Sequence, residues 1–276
     1  MYIHSISNIL NSNKQIKEYR DELKKLSSIN LRRSSKFNIL AVYGALLCTK
    51  DISLEDNIGI YVATESGPIS DVDKVLSIVN EPNNMIMPFD FLNINTNNVS
   101  FYVSKAINAN GKNMVITSKN FSFEKALQLS KFDLEINEVT NVLVGAVDES
   151  LENIKEYKTY LPEFFNKNPK DGSLWLYANN NPVNALAKID DICEYSNFLE
   201  FKNSFNLKNS IISLNFHALF DEELKNFLKN NKLLSSDDFF GCDRALSFFE
   251  LLKHKGKLAH IAKDINNKFI VIYITI

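Results

Sequence analysis

The chain has 276 residues, 45% of them hydrophobic and 23% charged, with a formal net charge of −2. This is ordinary globular usage, enough for one large domain or two half-sized ones, and it offers no basic field to a nucleic-acid partner. Cys48, Cys193 and Cys242 stand far apart with no C-x-x-C pair, which argues against a zinc site or a disulfide framework and for a reducing cytoplasm.

No apolar run approaches the ~20 residues a spanning helix needs, and residues 1–13 lack the core of a signal peptide or anchor. No G-x-S-x-G, Walker loop, G-x-G-x-x-G or H-E-x-x-H is present. Neither a metal nor a cofactor is therefore expected, and neither a membrane nor a nucleic acid as partner.

In chain order, the pattern predicts a strand over 2–9 and a polar loop or short helix over 15–26. Arg32 and Arg33 precede a helix over 38–48 that is apolar on most sides and so should be buried. The two arginines read either as a solvated helix start or as a docking point for a partner's carboxylate or phosphate. A buried strand follows over 57–64, ended by Glu65-Ser66-Gly67-Pro68. Helices are predicted over 70–79 and 99–109, the second stopped by Asn110-Gly111.

The central stretch runs from Asn113 to Leu129. Met114, Val115 and Ile116 form a short strand, and Phe123, Ala126, Leu127 and Ser130 then repeat at helix spacing, with Ser122 or Asn120 as the cap. A strand turning sharply into a helix is a mount for a nucleophile, because the helix start supplies backbone N–H groups and a positive dipole end. The residue at this turn is Asn120, a poor nucleophile. A further buried strand over 141–147 ends in Asp148 and Glu149. Strands alternating with helices predict an α/β fold with a largely parallel sheet.

Pro162 and Pro169 mark a polar stretch, where the chain is divided into an N-terminal half, 1–165, and a shorter C-terminal half, 166–276. The second half is predicted to hold strands over 174–178, 192–201, 211–216 and 269–276, and helices over 221–230 and 242–252. His254 and His260, among lysines, read as surface residues. His217 reads as a hydrogen-bonded histidine at a strand end, or as a general base. Cys242, at a glycine turn before a helix, reads as a packed inert thiol or a low-pKa one.

The order of elements resembles the β-ketoacyl synthase family, in particular its short chain-length-factor-like branch. Leu31-Arg32-Arg33-Ser34-Ser35 before an alanine-containing helix, the run from Gly59 to Pro68, Asn110-Gly111-Lys112-Asn113, and Asn141-Val142-Leu143-Val144-Gly145-Ala146-Val147-Asp148-Glu149 carry the likeness. The resemblance implies a thiolase-like αβαβα layered fold of two similar halves, here truncated. It puts Asn120, in Ser118-Lys119-Asn120-Phe121-Ser122, where the family has its cysteine nucleophile. His217 and Cys242 fall at its two histidines, which implies that no catalytic group set is complete. Asparagine cannot form the acyl-thioester that condensation requires.

What the resemblance implies is a non-catalytic subunit. It would pair with a catalytic ketosynthase that elongates chains on acyl carrier protein, toward a polyketide, an aryl polyene or an unusual fatty acid. Asn113, Val115 and Thr117 would lie at the subunit interface, and Tyr102, Phe121 and Phe123 would wall a tunnel that limits chain length. Arg32 and Arg33 would face the partner or the carrier protein. The rival expectations are an active acyltransferase or hydrolase using Ser122 or Cys242 with His217, and a homodimeric acyl-binding scaffold.

Overall fold

The computed structural model describes residues 1–12, 14–81, 84–154, 169–234, 241 and 243–276. Among the described residues, ten strands form one sheet in the order β3-β2-β4-β5-β1-β6-β10-β9-β7-β8. They are β1 (Tyr2–Asn11), β2 (Ile58–Ala63), β3 (Asn113–Ile116), β4 (Asn141–Asp148), β5 (Asp171–Asn179), β6 (Ala187–Tyr195), β7 (Ile211–Leu214), β8 (Lys232–Leu234), β9 (Lys257–Lys263) and β10 (Phe269–Thr275).

The order is a repeat. From the middle outward, β1-β5-β4-β2-β3 has the same sequence of pairings as β6-β10-β9-β7-β8: two antiparallel joins, then two parallel ones. A short antiparallel join, Tyr2 to Lys188 and Ile3 to Ala187, links the halves. The sheet is thus mixed, not largely parallel. The strands at 58–63, 113–116 and 141–148 are parallel as their apolar runs suggest, but β1 and β5 enter the same half antiparallel. In topology the repeat turns over between β5 and β6, so β5 belongs with the first half. The expected division at 165 falls outside the described residues.

Alternate residues of each strand face different layers. On β2, β4 and β5, Ile60, Leu143 and Trp175 face an outer helical layer. That layer holds α1 (Ile16–Leu23), α2 (Lys36–Thr49) and α5 (Asn98–Ile107). Tyr61, Val142 and Leu176, from the same three strands, face a central layer holding α6 (Ser122–Glu135) and α10 (Asp243–Leu251). From the other side, Leu258 of β9 and Ile272 of β10 meet the same two helices. Behind them, α7 (Phe198–Ser204), α8 (Phe216–Leu219) and α9 (Glu222–Phe227) cover the outer face of the second half. The arrangement is αβαβα, and strands covered on both faces explain the near-continuous apolar runs of β2 and β4.

Helix α2 starts where Ser35 accepts the Asn38 N–H at 3.1 Å, and it is buried on nearly all sides, as its composition predicts. A Cβ at Gly44 would lie 2.3 Å from Ser173 Oγ and 2.7 Å from the Trp175 ring, so only glycine allows α2 this close to β5.

Three expectations fail. The strand predicted over 192–201 ends at Tyr195, because the Asn197 side chain accepts the Glu200 N–H and starts α7. Strand β9 has lysines at both ends, which disguised its interior, so His260 is fully buried rather than on the surface. Neither Ser122 nor Asn120 caps α6; Phe121 occupies the N-cap position, and Ser122 is the first helical residue.

Candidate functional site at the β3–α6 turn

The turn between β3 and α6 is a single 3-10 turn, Lys119–Phe121. Lys119 has φ +46, a left-handed conformation that costs a non-glycine residue roughly 1–2 kcal/mol. Such strain persists only where surrounding contacts enforce it, and it gathers at functional turns. Asn120 follows directly, lifted toward the second half of the molecule.

There it meets His217. The Asn120 Nδ2 lies 3.0 Å from Nε2 of His217, so the carboxamide donates and the imidazole accepts. His217 is held on α8, whose start is capped by Asn215; its Oδ1 accepts the Ala218 and Lys263 N–H groups. The two residues that the resemblance sets at the family's nucleophile and first histidine, 97 apart in sequence, lie within hydrogen-bond distance of each other. Cys242, the third, lies outside the described residues. Of the other cysteines, Cys48 is buried in α2 with its thiol pushed up to about 12 by burial, and burial also raises Cys193 on β6.

Ser122 is fully buried and spoken for: its hydroxyl donates to Glu65 Oε1 at 3.0 Å and accepts the Ser118 N–H at 2.9 Å. The described bonds of Ser122 run to Glu65 and Ser118 and that of His217 runs to Asn120, so an acyltransferase or hydrolase built on Ser122 with His217 is not favoured. The turn after β2 is gathered by Asp148, whose carboxylate accepts the Thr64 hydroxyl at 2.7 Å and the Ser66 N–H at 2.9 Å. Gly241 rests on the same acid; a Cβ there would sit 2.5 Å from Asp148 Cγ.

One turn into α6, Glu124 is fully buried. His260 Nε2 lies 3.0 Å from its Oε1, and Ser213 Oγ lies 2.8 Å from His260 Nδ1. This chain ties α6 to β9 and β7, hence one half to the other. Among the described residues, Glu124 Oε2 has no hydrogen-bond partner, a costly state for a buried oxygen. Glu65, Glu124, Ser213 and His260 were missed from sequence. A glutamate on the core side of the α6 stripe was the available signal, since burying one unpaired is prohibitive.

Beside Asn120 opens a cleft of about 690 Å³, bounded by Lys119, Asn120 and Phe121 on one side and by Tyr195, Ile265 and Lys268 on the other. Phe121 is buried against Ala262 and Ile270, while Phe123 packs edge-on to Phe248 in the central layer, 5.2 Å between ring centres. Tyr102 lies on α5, on the opposite face of the sheet. The three aromatic candidates therefore do not wall one tunnel. Asn113 is exposed and Val115 half-buried on β3, Thr117 is exposed just after it, and among the described residues β3 pairs with β2 alone.

Arg32 and Arg33 are exposed; Arg33 lies over the Phe89 ring at 4.4 Å and lines a cleft of about 430 Å³ with Leu92 and Tyr102. Among the described residues, no three His, Cys, Asp or Glu side chains are grouped to hold a metal. No helix there is long and apolar enough to cross a membrane.

No protein-family model matches the chain, and no curated protein does. Solved structures do. One is the ishigamide ketosynthase/chain length factor: 10% identity, TM-score 0.71, covering 100% of this chain and 99% of that one. A second is a type II polyketide synthase acyl-carrier protein in complex with its ketosynthase bound to the hexaketide: 12% identity, TM-score 0.67, with 99% and 98% covered. A third is a ketosynthase in complex with its chain length factor from Xenorhabdus doucetiae: 10% identity, TM-score 0.59, again 99% and 98%.

The chain has the ketosynthase/chain-length-factor fold. In that thiolase-like fold the repeated strand order supplies two halves, and the β3–α6 turn and α8 bring one residue from each to the same point. The expected α/β class and its αβαβα layering hold.

Proposed function

We propose that the protein is a chain-length-factor-like subunit that does not itself carry the acyl chain. It pairs with a catalytic ketosynthase and helps it elongate chains held on acyl carrier protein. One observation carries the reading: in this fold, the strained turn at the start of α6 presents Asn120, and His217 accepts its carboxamide. An amide nitrogen is not nucleophilic and forms no thioester. The hydrogen bond also occupies the imidazole nitrogen that a nucleophile would need.

The partner joins along β3. An edge strand offers unpaired N–H and C=O groups to another strand. Phe101, 59% exposed, stands on α5, which lies over β2 and β3, and Phe91 of α4 (Pro88–Asn93) is 63% exposed. Apolar surface of this kind marks a protein interface. The face around Arg32 and Arg33 takes the carboxylates or phosphate of the carrier protein. The homodimeric scaffold remains the outcome to be distinguished by experiment.

The test is co-expression with ketosynthases of the same genome, followed by mass measurement of the complex and intact-mass acylation. A one-to-one complex labelled only on the partner supports the reading. Acyl label on this chain sinks it. A labelless homodimer that ignores every ketosynthase points to the scaffold instead.

A further inference from the structure

Lysine is this chain's usual base: of 31 lysines and arginines, only four are arginines. Three of the four, Arg20, Arg32 and Arg33, line two adjoining clefts, and the fourth, Arg244, stands on α10. The clefts share Arg33, Ser34 and Asn93. The first, of about 430 Å³, is lined by Arg32, Arg33, Phe89, Leu92 and Tyr102, and by no acid. The second, of about 380 Å³, reaches Arg20 and the start of α3 (Ile69–Val79). Both volumes are of the size that takes small ligands.

The lysines of the second cleft are already matched: Lys14 to Glu22, Lys36 to Asp171 and Lys74 to Asp90. Asp71 is the acid of its lining outside these pairs. The arginines are not matched. Among the described residues, none of the three has a carboxylate partner. Arg33 lies flat over the Phe89 ring at 4.4 Å, which leaves its N–H edge to a ligand. Arg20 donates to the Ser34 carbonyl at 3.4 Å, while its buried Nε has no partner among the described residues. The loop between them is fixed in advance: Asn30 Oδ1 accepts the Arg32 N–H and Asn93 Nδ2 donates to the Arg33 carbonyl, both at 3.1 Å. Guanidinium groups bind phosphate bidentately, where lysine offers a point charge. Beside them the first cleft supplies two aromatic rings for stacking and two half-used carboxamides. Asn98 spends its Nδ2 on the Leu92 carbonyl at 2.8 Å and keeps Oδ1, while Asn30 spends Oδ1 and keeps Nδ2. One acceptor and one donor beside aromatic rings suit the edge and face of a nucleobase.

We propose that the joined clefts bind a nucleotide, with its phosphates on Arg33 and Arg20 and its base against Phe89 and Tyr102. The inference goes beyond the proposed function; because both use Arg33, a nucleotide held there competes with the carrier protein. The experiment is calorimetric titration of the full chain alone, at about 0.15 M salt, with ADP, GDP, adenosine, inorganic pyrophosphate and pantetheine 4′-phosphate. It involves no ketosynthase, so its failure and a failed pairing are read separately. ADP or GDP should bind at least about tenfold more tightly than any of the other three. Arg33→Lys keeps the charge, loses the fork and alters an exposed residue; it should weaken the nucleotide at least about tenfold. Tyr102→Leu should weaken it at least about fivefold and leave pyrophosphate as it was. Lys253→Gln, outside both clefts, should change neither. Nucleotide binding no tighter than that of pyrophosphate, or undiminished in Arg33→Lys or Tyr102→Leu, overturns the proposal. So does an equal loss in Lys253→Gln. Pantetheine 4′-phosphate bound as tightly as the nucleotides also overturns it and gives the cleft to the carrier protein.

Discussion

The seam between the two halves and the shelf formed by α3 and α4 are opposites. In the seam, polar groups are buried and nearly all matched: Glu124 to His260 to Ser213, with Phe123 against Phe248 beside them. On the shelf, apolar groups are exposed and unmatched: Leu76, Val79, Phe91 and Leu92 face water. The seam is completed by this chain alone, whereas the shelf has the composition of a surface finished by another molecule. The interior interlock is closed by this chain's own side chains, while the outward surface leaves apolar groups exposed.

The comparison can be broken most severely at the seam. His260→Ala leaves Glu124 buried with no partner for either oxygen, and should cost about 3–5 kcal/mol in chemical denaturation. Glu124→Leu combined with His260→Leu should recover most of that loss, because the buried polar group then disappears with its partner. If the double variant is as unstable as the single one, the pair is not the matched unit described. Phe123→Ala removes the edge-on ring contact and opens a cavity between α6 and α10. It should cost about 3–4 kcal/mol by the same assay.

The elbow sharpens the comparison from its chemistry. Asn120→Cys places a thiol near His217 Nε2, and the cleft beside it admits reagents. Alkylation by iodoacetamide at position 120 should then outpace that of Cys48 by at least about tenfold, since a nearby imidazole activates a thiol and burial deactivates one. Equal rates would mean that the turn does not present its side chain. Unfolding free energy should change by no more than about 1 kcal/mol, the usual worth of one hydrogen bond.

At the shelf the effects on stability should be least. Phe91→Ser on the shelf with Phe101→Ser on α5 should shift unfolding by less than about 0.5 kcal/mol, as substitutions away from packed features do. The same pair should weaken association with a ketosynthase at least tenfold, about 1.4 kcal/mol, in a binding titration. A stability loss comparable to the seam variants would show that the shelf is core after all.

Local pattern made much of this legible. The apolar runs of β2 and β4, the all-round apolar α2, and the β3-to-α6 turn are all where periodicity puts them. Asn120 and His217 were legible as a pair only through the family resemblance, since no local signal links residues 97 apart. The missed strand β9 shows why the rest was hidden. Lysines at 257 and 263 solvate its ends, and a histidine in its middle reads as polar until Glu124 is seen opposite. Tyr102 and Phe123 fail as a joint tunnel wall for a related reason. Helical spacing tells which residues share a face of one helix, but not which face of the sheet that helix covers.

What the sequence by itself determined is β2, β3, β4, α2 and the residue at the turn, because hydrophobic period and turn chemistry act over a few residues. Only the tertiary structure decided the mixed sheet, the mirrored order of its halves, and the meeting of Asn120 with His217 and of Glu124 with His260. Those depend on contacts between distant segments, whose cost in chain entropy is offset only when all the layers close together.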